Sequence, residues 1–131
     1  MNVKVKRNSL PLNLRPAPTC EDELHEDVAD WLSGHLKTNA ATNHAMNEGR
    51  RGWKTQHKMK AFKVRKGWPD IEIMLRGSAF FIELKRDKPN KTYLTKDQKE
   101  CHADLKLAGC PVAVCRSLDE VIGTCMAWEL V

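Results

Sequence analysis

The stretch GWPDIEIMLRGSAFFIELK, residues 67–85, decides the fold because apolar and polar residues alternate on both sides of one turn. Alternation with period two is typical of β-strands that bury one face. Gly77-Ser78 suits a two-residue turn, so the stretch predicts a β-hairpin over residues 70–85. With this turn, six apolar side chains share one face in the cross-strand pairs Leu75–Phe80, Ile73–Ile82 and Ile71–Leu84.

The same predicted register collects charged side chains on the opposite face of the hairpin. It places Lys85 across from Asp70 and makes Asp70 and Glu83 diagonal neighbours, about 7–8 Å apart. Glu72 then faces Glu83, where we expect a bystander or an ion-pair partner. Hard oxygen ligands that leave positions for water and phosphate suit Mg²⁺. The face therefore predicts a divalent-metal site, and the alternative is a surface hairpin with a Lys85–Asp70 salt bridge.

Two motifs within this stretch point to a known family. Gly67-Trp68-Pro69-Asp70 precedes Glu83-Leu84-Lys85 across one tight turn, and in this order they resemble the motifs of the PD-(D/E)XK nuclease superfamily. More narrowly, residues 21–130 resemble the virus-type replication-repair nuclease (VRR-NUC) domain, in its stand-alone phage or bacterial type. The other matching positions are Glu21, Asn47-Glu48-Gly49 and Thr95 through Gln98, with a departure at His25, where relatives often carry Gln.

The resemblance implies a fold and a metal site. The fold is α/β, with a restriction-endonuclease-like core in which a mixed central β-sheet is flanked by α-helices. Asp70 and Glu83 would bind Mg²⁺ (or Mn²⁺) with help from the Leu84 carbonyl, and Glu21 would contribute directly or through water. Glu21 could instead only complement the dipole of the helix that begins beside it.

The resemblance also implies roles in catalysis. Lys85 would orient or deprotonate the attacking water and stabilise charge on the phosphate, and Gln98 would position Lys85 or the water. The alternative for Gln98 is to close a capping box with Thr95 and do nothing more. For Glu48, a turn residue in a basic loop is preferred to a metal role. We expect His57 and His102 to be surface or packing residues.

The distribution of charge predicts an anionic partner. The chain carries a formal charge of +5 over 131 residues, and its pI is near 9.0. Between Lys37 and Lys66 there are nine basic residues and one acidic residue, Glu48, a net of 9 − 1 = +8. Such a run suits phosphate contacts that position DNA without reading its sequence, although it is also typical of a solvated surface. The predicted DNA-binding residues are Arg50, Arg51, Lys54, Lys58, Lys60, Lys63, Arg65 and Lys66.

The remaining patterns predict one domain, residues 19–131, preceded by a basic, proline-containing arm, residues 1–18, that is ordered only if it docks. Residues 39–66 have a poor pattern, with a possible strand at 59–64. The other predicted elements are a helix from an N-cap at Thr19 to about Leu36, a helix from Thr95 to Ala108, a strand from Val112 to Cys115, and a final helix opened by a capping box of Ser117 and Glu120.

Cysteine usage and the N-terminus favour a reduced, intracellular protein, cytoplasmic in a phage-infected or bacterial cell. The five cysteines are an odd number without a CxxC pair, and the first ten residues lack the apolar core of a signal peptide. We therefore expect no disulfide framework and no structural zinc. No apolar run approaches the length of a membrane span, so no membrane partner is expected.

Together these observations predict a metal-dependent, structure-specific DNA endonuclease that acts on branched DNA, such as a four-way junction, in DNA repair. A homodimer is expected, because resolving a two-fold symmetric junction needs two opposed cuts. Trp53, Phe62 and Trp68 could anchor that interface, stack on bases, or simply pack. The alternatives are a non-catalytic nucleic-acid-binding module, a restriction-type enzyme, or a nuclease for flaps, single strands or linear duplex.

Overall fold

The computed structural model describes residues 4–45 and 52–131. Its helices and strands follow the order helix, strand, helix, hairpin, helix, strand, helix. Two single-turn 3₁₀ helices, Arg7–Ser9 and Leu12–Leu14, precede them. The elements are α1 (Glu21–His35), β1 (Ala41–His44), α2 (Trp53–Ala61), β2 (Ile71–Leu75), β3 (Ser78–Leu84), α3 (Lys96–Leu107), β4 (Val112–Cys115) and α4 (Leu118–Ala127).

The four strands form one mixed sheet in the order β1-β2-β3-β4. The pairs β1–β2 and β2–β3 are antiparallel. Phe81 donates its backbone N–H to the Pro111 carbonyl, and Lys85 donates to the Cys115 carbonyl. Because the numbers of both partners rise together, β3 and β4 run parallel, and α3 is the crossover that a parallel pair requires. The predicted α/β fold with a mixed sheet is confirmed.

The chain divides into two compact units. The unit that contains both ends of the chain, here called the terminal unit, comprises Met1–Ala40, Leu84–Thr92 and Val114–Val131. The other, here called the hairpin unit, comprises Ala41–Glu83 and Tyr93–Ala113. This division differs from the predicted boundary at residue 18, which remains a prediction.

In the terminal unit, α1 packs against α4 and against the second 3₁₀ helix. The buried side chains of α1 recur at helical spacing, as an amphipathic helix requires. On α4 and after it, Val121, Cys125 and Leu130 are fully buried. The buried α1 residues are Leu24, Asp27, Val28, Trp31 and Leu32.

The N-terminal residues are bound to α1 by ion pairs. Asp27 accepts hydrogen bonds from Arg7 Nη1 at 2.6 Å and from Arg15 Nη1 at 2.9 Å, while its other oxygen accepts from Arg7 Nη2 at 2.7 Å. Arg15 also pairs with Asp30. Arg7 and Arg15 of the expected arm therefore dock on an acidic face of α1 within the same unit.

In the hairpin unit, α3 and β3 share a small core. Phe81, Cys101 and Leu105 are buried together, with Trp68, Ala79, Cys110 and Val112 packed against them. Trp68 lies edge-on to Phe81, with ring centroids 5.4 Å apart. Of the roles considered for Trp68, packing is therefore the one observed.

The predicted hairpin register is wrong by two residues. Leu75 pairs with Ser78, so the turn is Arg76-Gly77 and not Gly77-Ser78. Both turn residues have positive φ, 52° and 75°, as in a type I′ turn. A shift of two residues leaves every side chain on its predicted face. It changes the partners, however, so Glu72 lies opposite Phe81 and not opposite Glu83.

The region before the hairpin was predicted least well. The expected strand at 59–64 is wrong, since residues 53–61 form α2. The alternation there has no core to face, because α2 has no buried residue. Strand β1 was not predicted, because its residues Ala-Thr-Asn-His show no apolar–polar alternation; the first three of them are exposed.

The helix starts agree with the sequence in two of three cases. Thr95 and Gln98 form the full capping box of α3, and Ser117 accepts from the Glu120 N–H at the start of α4. For α1 the predicted N-cap is wrong: the cap position is Cys20, and Thr19 donates instead to the Glu23 carboxylate. None of the helices within residues 4–45 and 52–131 is long and apolar enough to cross a membrane.

Candidate active site

A close backbone approach in the hairpin unit fixes the loop that carries Asp70. Gly67 has a φ of +79°, and a Cβ placed there would lie 2.5 Å from the Asp97 carbonyl at the start of α3. Only glycine accepts both conditions without a shift of the backbone. Pro69 is fully buried. The loop therefore enters β2 in a fixed position against the first turn of α3.

Asp70 and Glu83 meet at the open end of the hairpin. Ile71 pairs with Ile82 in the antiparallel register. One residue further toward the open end, the same register sets Asp70 opposite Glu83. The Asp70 N–H donates to Glu83 Oε2 at 3.2 Å. Asp70 is 9% exposed and Glu83 only 2%. The observed register thus makes them direct neighbours, and the predicted diagonal relation and the predicted pairing of Lys85 with Asp70 are both corrected.

Two residues of α3 reach Glu83. Gln98 Nε2 donates to Glu83 Oε1 at 2.7 Å, while Gln98 Oε1 accepts from the Thr95 N–H in the capping box. Gln98 therefore closes the predicted capping box and also contacts Glu83, while its predicted role of positioning Lys85 or the water remains a prediction. His102 is 5% exposed, and its Nε2 lies 3.9 Å from Glu83 Oε2. Sequence reasoning set His102 aside, yet its spacing of four from Gln98 puts both on one helix face.

In the terminal unit, Glu21 binds the chain just after the Glu83-Leu84-Lys85 motif. Its Oε1 accepts from Thr92 Oγ1 at 2.8 Å and from the Arg86 N–H at 3.3 Å. Thr92 Oγ1 also accepts from the Arg86 N–H. Glu21 is half-buried. These hydrogen bonds hold the backbone that follows Lys85 in a fixed position.

Lys85 is buried, with 7% of its surface exposed, and its backbone is part of the β3–β4 ladder. Lysine is rarely buried unless its ammonium group is paired. Lys85 lies two residues after Glu83, and in an extended chain residues i and i+2 are on the same face. The Leu84 side chain between them is buried.

The donor set fits a magnesium ion but does not form a cage. Among the described residues, no three His, Cys, Asp or Glu side chains are grouped so that they could hold a metal ion. Mg²⁺ is usually bound by one or two carboxylates, with waters and substrate phosphate as the remaining ligands. Asp70 and Glu83, opposed across the hairpin, supply the two carboxylate side chains that this requires. Whether Glu21 and the Leu84 carbonyl also contribute remains a prediction.

Six of the predicted DNA-binding residues lie within the described part of the chain, and all six are exposed. Arg65 pairs with Asp104, and this hydrogen bond raises the pKa of Arg65. The predicted Arg50 and Arg51, and the motif Asn47-Glu48-Gly49, lie outside the described residues. The six exposed residues are Lys54, Lys58 and Lys60 on α2, and Lys63, Arg65 and Lys66 after it.

Comparisons with known proteins agree with the motifs. One solved structure, described as a VRR_NUC domain protein, matches with a TM-score of 0.68 and 25% identity, over 88% of this chain and 93% of that one. Another, described as a VRR_NUC domain, matches with a TM-score of 0.54 and 20% identity, over 81% and 94%, and shows the fold alone. No family model and no curated protein matches. The chain has the fold of VRR-NUC domain proteins, which implies a PD-(D/E)XK nuclease, and that superfamily typically uses a divalent metal.

Proposed function

We propose that this chain is a divalent-metal-dependent endodeoxyribonuclease whose catalytic residues are Asp70, Glu83 and Lys85. The observation that carries the proposal is the direct hydrogen bond from the Asp70 N–H to the Glu83 carboxylate, between two carboxylate residues that are both buried. Two buried acidic residues opposed across a hairpin repel each other unless a cation or Lys85 compensates them. In a fold that nucleases use, a divalent metal ion bound between the two residues would supply this compensating charge.

The residues divide the work of phosphodiester hydrolysis. Asp70 and Glu83 would hold Mg²⁺ or Mn²⁺, with the Leu84 carbonyl and Glu21 as further ligands, directly or through water. The metal, when bound, lowers the pKa of water and neutralises charge on the non-bridging oxygens. Lys85 orients the attacking water and donates to the phosphate. Gln98 positions Glu83 through its 2.7 Å hydrogen bond.

The preferred substrate in this proposal is branched DNA. The basic residues of and after α2, together with Arg50 and Arg51, hold the phosphate backbone without reading bases. A four-way junction is two-fold symmetric, and one site per chain makes two opposed cuts only in a C2 dimer. We therefore propose a homodimer on a junction.

The test is cleavage of labelled duplex, flap, single-stranded and four-way-junction DNA, each with Mg²⁺, with Mn²⁺ and with EDTA. The proposal expects internal cuts that need a metal and are fastest on the junction. Failure to cut any of the four DNAs with either metal would favour a non-catalytic binding module. Equal rates on linear duplex and junction, or a monomer by light scattering with and without DNA, would overturn only the branched-substrate and dimer parts.

A further inference from the structure

The helix α2, Trp53–Ala61, is exposed along its whole length. None of its side chains is buried. Helices shorter than about 12–15 residues are marginal in water, and most gain their stability from a packed apolar face. The exposed side chains of α2 are therefore available to a ligand.

An aromatic pair lies on this exposed helix. Trp53 is 76% exposed, and its ring stacks on His57, with centroids 5.5 Å apart and planes inclined by 19°. Phe62 lies directly after the last residue of the helix and is 75% exposed. Exposed tryptophan is unusual on a surface that serves only solubility, because its ring is a large apolar area. The stacked pair presents a flat surface to solvent.

The charges around the aromatic pair all have one sign. Residues 52–66 contain six basic side chains and no acidic one. Lys54 and Lys58 are four apart on α2, an arrangement of like charges that destabilises a helix slightly. An anionic ligand would remove this repulsion. A second copy of the same surface would add to it.

We propose that Trp53, His57, Lys54 and Lys58, which we call the α2 platform, bind single-stranded DNA by stacking on unpaired bases while the lysines contact the adjoining phosphates. The inference rests on the proposed nuclease function and adds a binding surface for unpaired bases wherever a branched substrate exposes them. Stacking on aromatic side chains beside a basic groove is how proteins bind single strands without sequence preference. A duplex hides its base faces, so it can offer the platform only phosphates.

Binding is measured by fluorescence anisotropy in EDTA, so that no DNA is cut. The probes are oligo(dT) of about 16 nucleotides, an abasic backbone of the same length and a matched duplex. Stacking contributes about 1–3 kcal/mol per base, so Trp53→Ala should weaken oligo(dT) binding about five- to hundredfold. Binding of the abasic strand and of the duplex should change less than about twofold, because they use only phosphate contacts.

Three further variants distinguish a loss of base stacking from a general loss of structure or of phosphate contacts. Trp53→Phe keeps an aromatic ring and should restore most of the oligo(dT) affinity. Tyr93→Ala removes another exposed aromatic, outside the platform, and should change nothing. In Lys54→Gln/Lys58→Gln, binding to all three probes should weaken together, since each of them carries phosphates.

The outcomes also distinguish this inference from the proposed function. Equal loss on duplex and oligo(dT) in Trp53→Ala, or no loss on either, would overturn the platform. A change of oligomeric state in Trp53→Ala, measured by light scattering, would assign the surface to a second copy instead. If the protein cuts DNA with a metal but Trp53→Ala binds oligo(dT) like wild type, only the α2 platform is refuted. If the binding pattern is as expected but the protein never cuts DNA, only the proposed nuclease function is refuted.

Discussion

Two buried carboxylates, Asp27 and Glu83, are held in different ways. Asp27, in the terminal unit, accepts from two arginines that use both of its oxygens. Burial raises the pKa of Asp27, but the hydrogen bonds from Arg7 and Arg15 outweigh it and hold that pKa below its ordinary value. Glu83, in the hairpin unit, accepts from a side-chain amide and from the backbone of another carboxylate residue, Asp70.

We propose that this difference separates a structural carboxylate, Asp27, from a catalytic one, Glu83. Two guanidinium groups on one carboxylate hold the N-terminal segment in place, and both carboxylate oxygens accept their hydrogen bonds. An amide and a backbone N–H orient a carboxylate, and they bring a second acidic residue beside it. We therefore expect changes at Asp27 to affect stability and changes around Glu83 to affect cleavage.

The largest effect is expected at Lys85. Lys85→Met keeps the length of a buried side chain and removes its charge, so folding should be preserved. Loss of a group that orients or activates water typically lowers the rate about 10²–10⁴-fold. Single-turnover cleavage with Mg²⁺ measures it, with the exposed Lys99→Met on α3 as the matched control. A rate within a few fold of wild type would remove Lys85 from the catalytic set.

The next effect separates the two roles of Gln98. Gln98→Glu keeps an acceptor for the Thr95 N–H but replaces the donor to Glu83 with a like charge. Loss of a residue that orients a metal ligand costs about 10–100-fold in activity or metal affinity. Thr95→Ala removes the cap alone and should lower stability by about 1 kcal/mol with an unchanged cleavage rate. If both variants lowered only the stability, Gln98 would be a capping residue and nothing more.

A smaller effect is expected from the loop that carries Asp70. Gly67→Ala must push against the Asp97 carbonyl at 2.5 Å, and we expect a loss of about 1–3 kcal/mol with slower cleavage. Gly77→Ala is the matched control, since its φ is also positive, at +75°, but a Cβ there has nothing within 4 Å. Urea unfolding of both variants measures the difference. Equal losses would mean that only backbone conformation matters at Gly67.

The smallest effect is the share that Asp27 contributes to the loss of stability in acid. Because its pKa in the folded chain lies below the ordinary 3.8, its ion pairs stabilise the fold above that value. This stability is lost as the pH falls through the lowered pKa. Wild type should therefore lose free energy of unfolding more steeply than Asp27→Asn below about pH 4, while at neutral pH it is more stable by about 2 kcal/mol. Parallel curves would contradict the assignment of Asp27.

The sequence predicted the faces of the hairpin but not its pairing. Period-two alternation assigns each side chain to a face, and that assignment survives a shift of two residues. The pairing depends on the turn, and the turn uses Arg76 with a positive φ, which is uncommon for a residue with a Cβ. As a result, Asp70 and Glu83 were predicted correctly to share one face, while the residue opposite Asp70 was not.

Local pattern failed where no core lies against the chain. Capping boxes at Thr95 and Ser117 are local signals, and both helices begin where they predict. The alternation at 59–64 is also local, but α2 buries nothing, so the alternation carried no information about a strand. The contact of His102 with Glu83, 19 residues earlier in the sequence, is tertiary, so no local pattern could predict it.

The central claim is that Asp70 and Glu83 form a metal-dependent catalytic pair, and the most direct test compares Glu83→Gln with Asp27→Asn. The measurement is the single-turnover cleavage rate of a four-way junction at saturating protein and Mg²⁺, below the melting temperature of each variant. We expect the cleavage rate of Glu83→Gln to fall by about a thousandfold or more with unchanged DNA affinity, and the rate of Asp27→Asn to equal that of wild type. Cleavage by Glu83→Gln at the wild-type rate would contradict it.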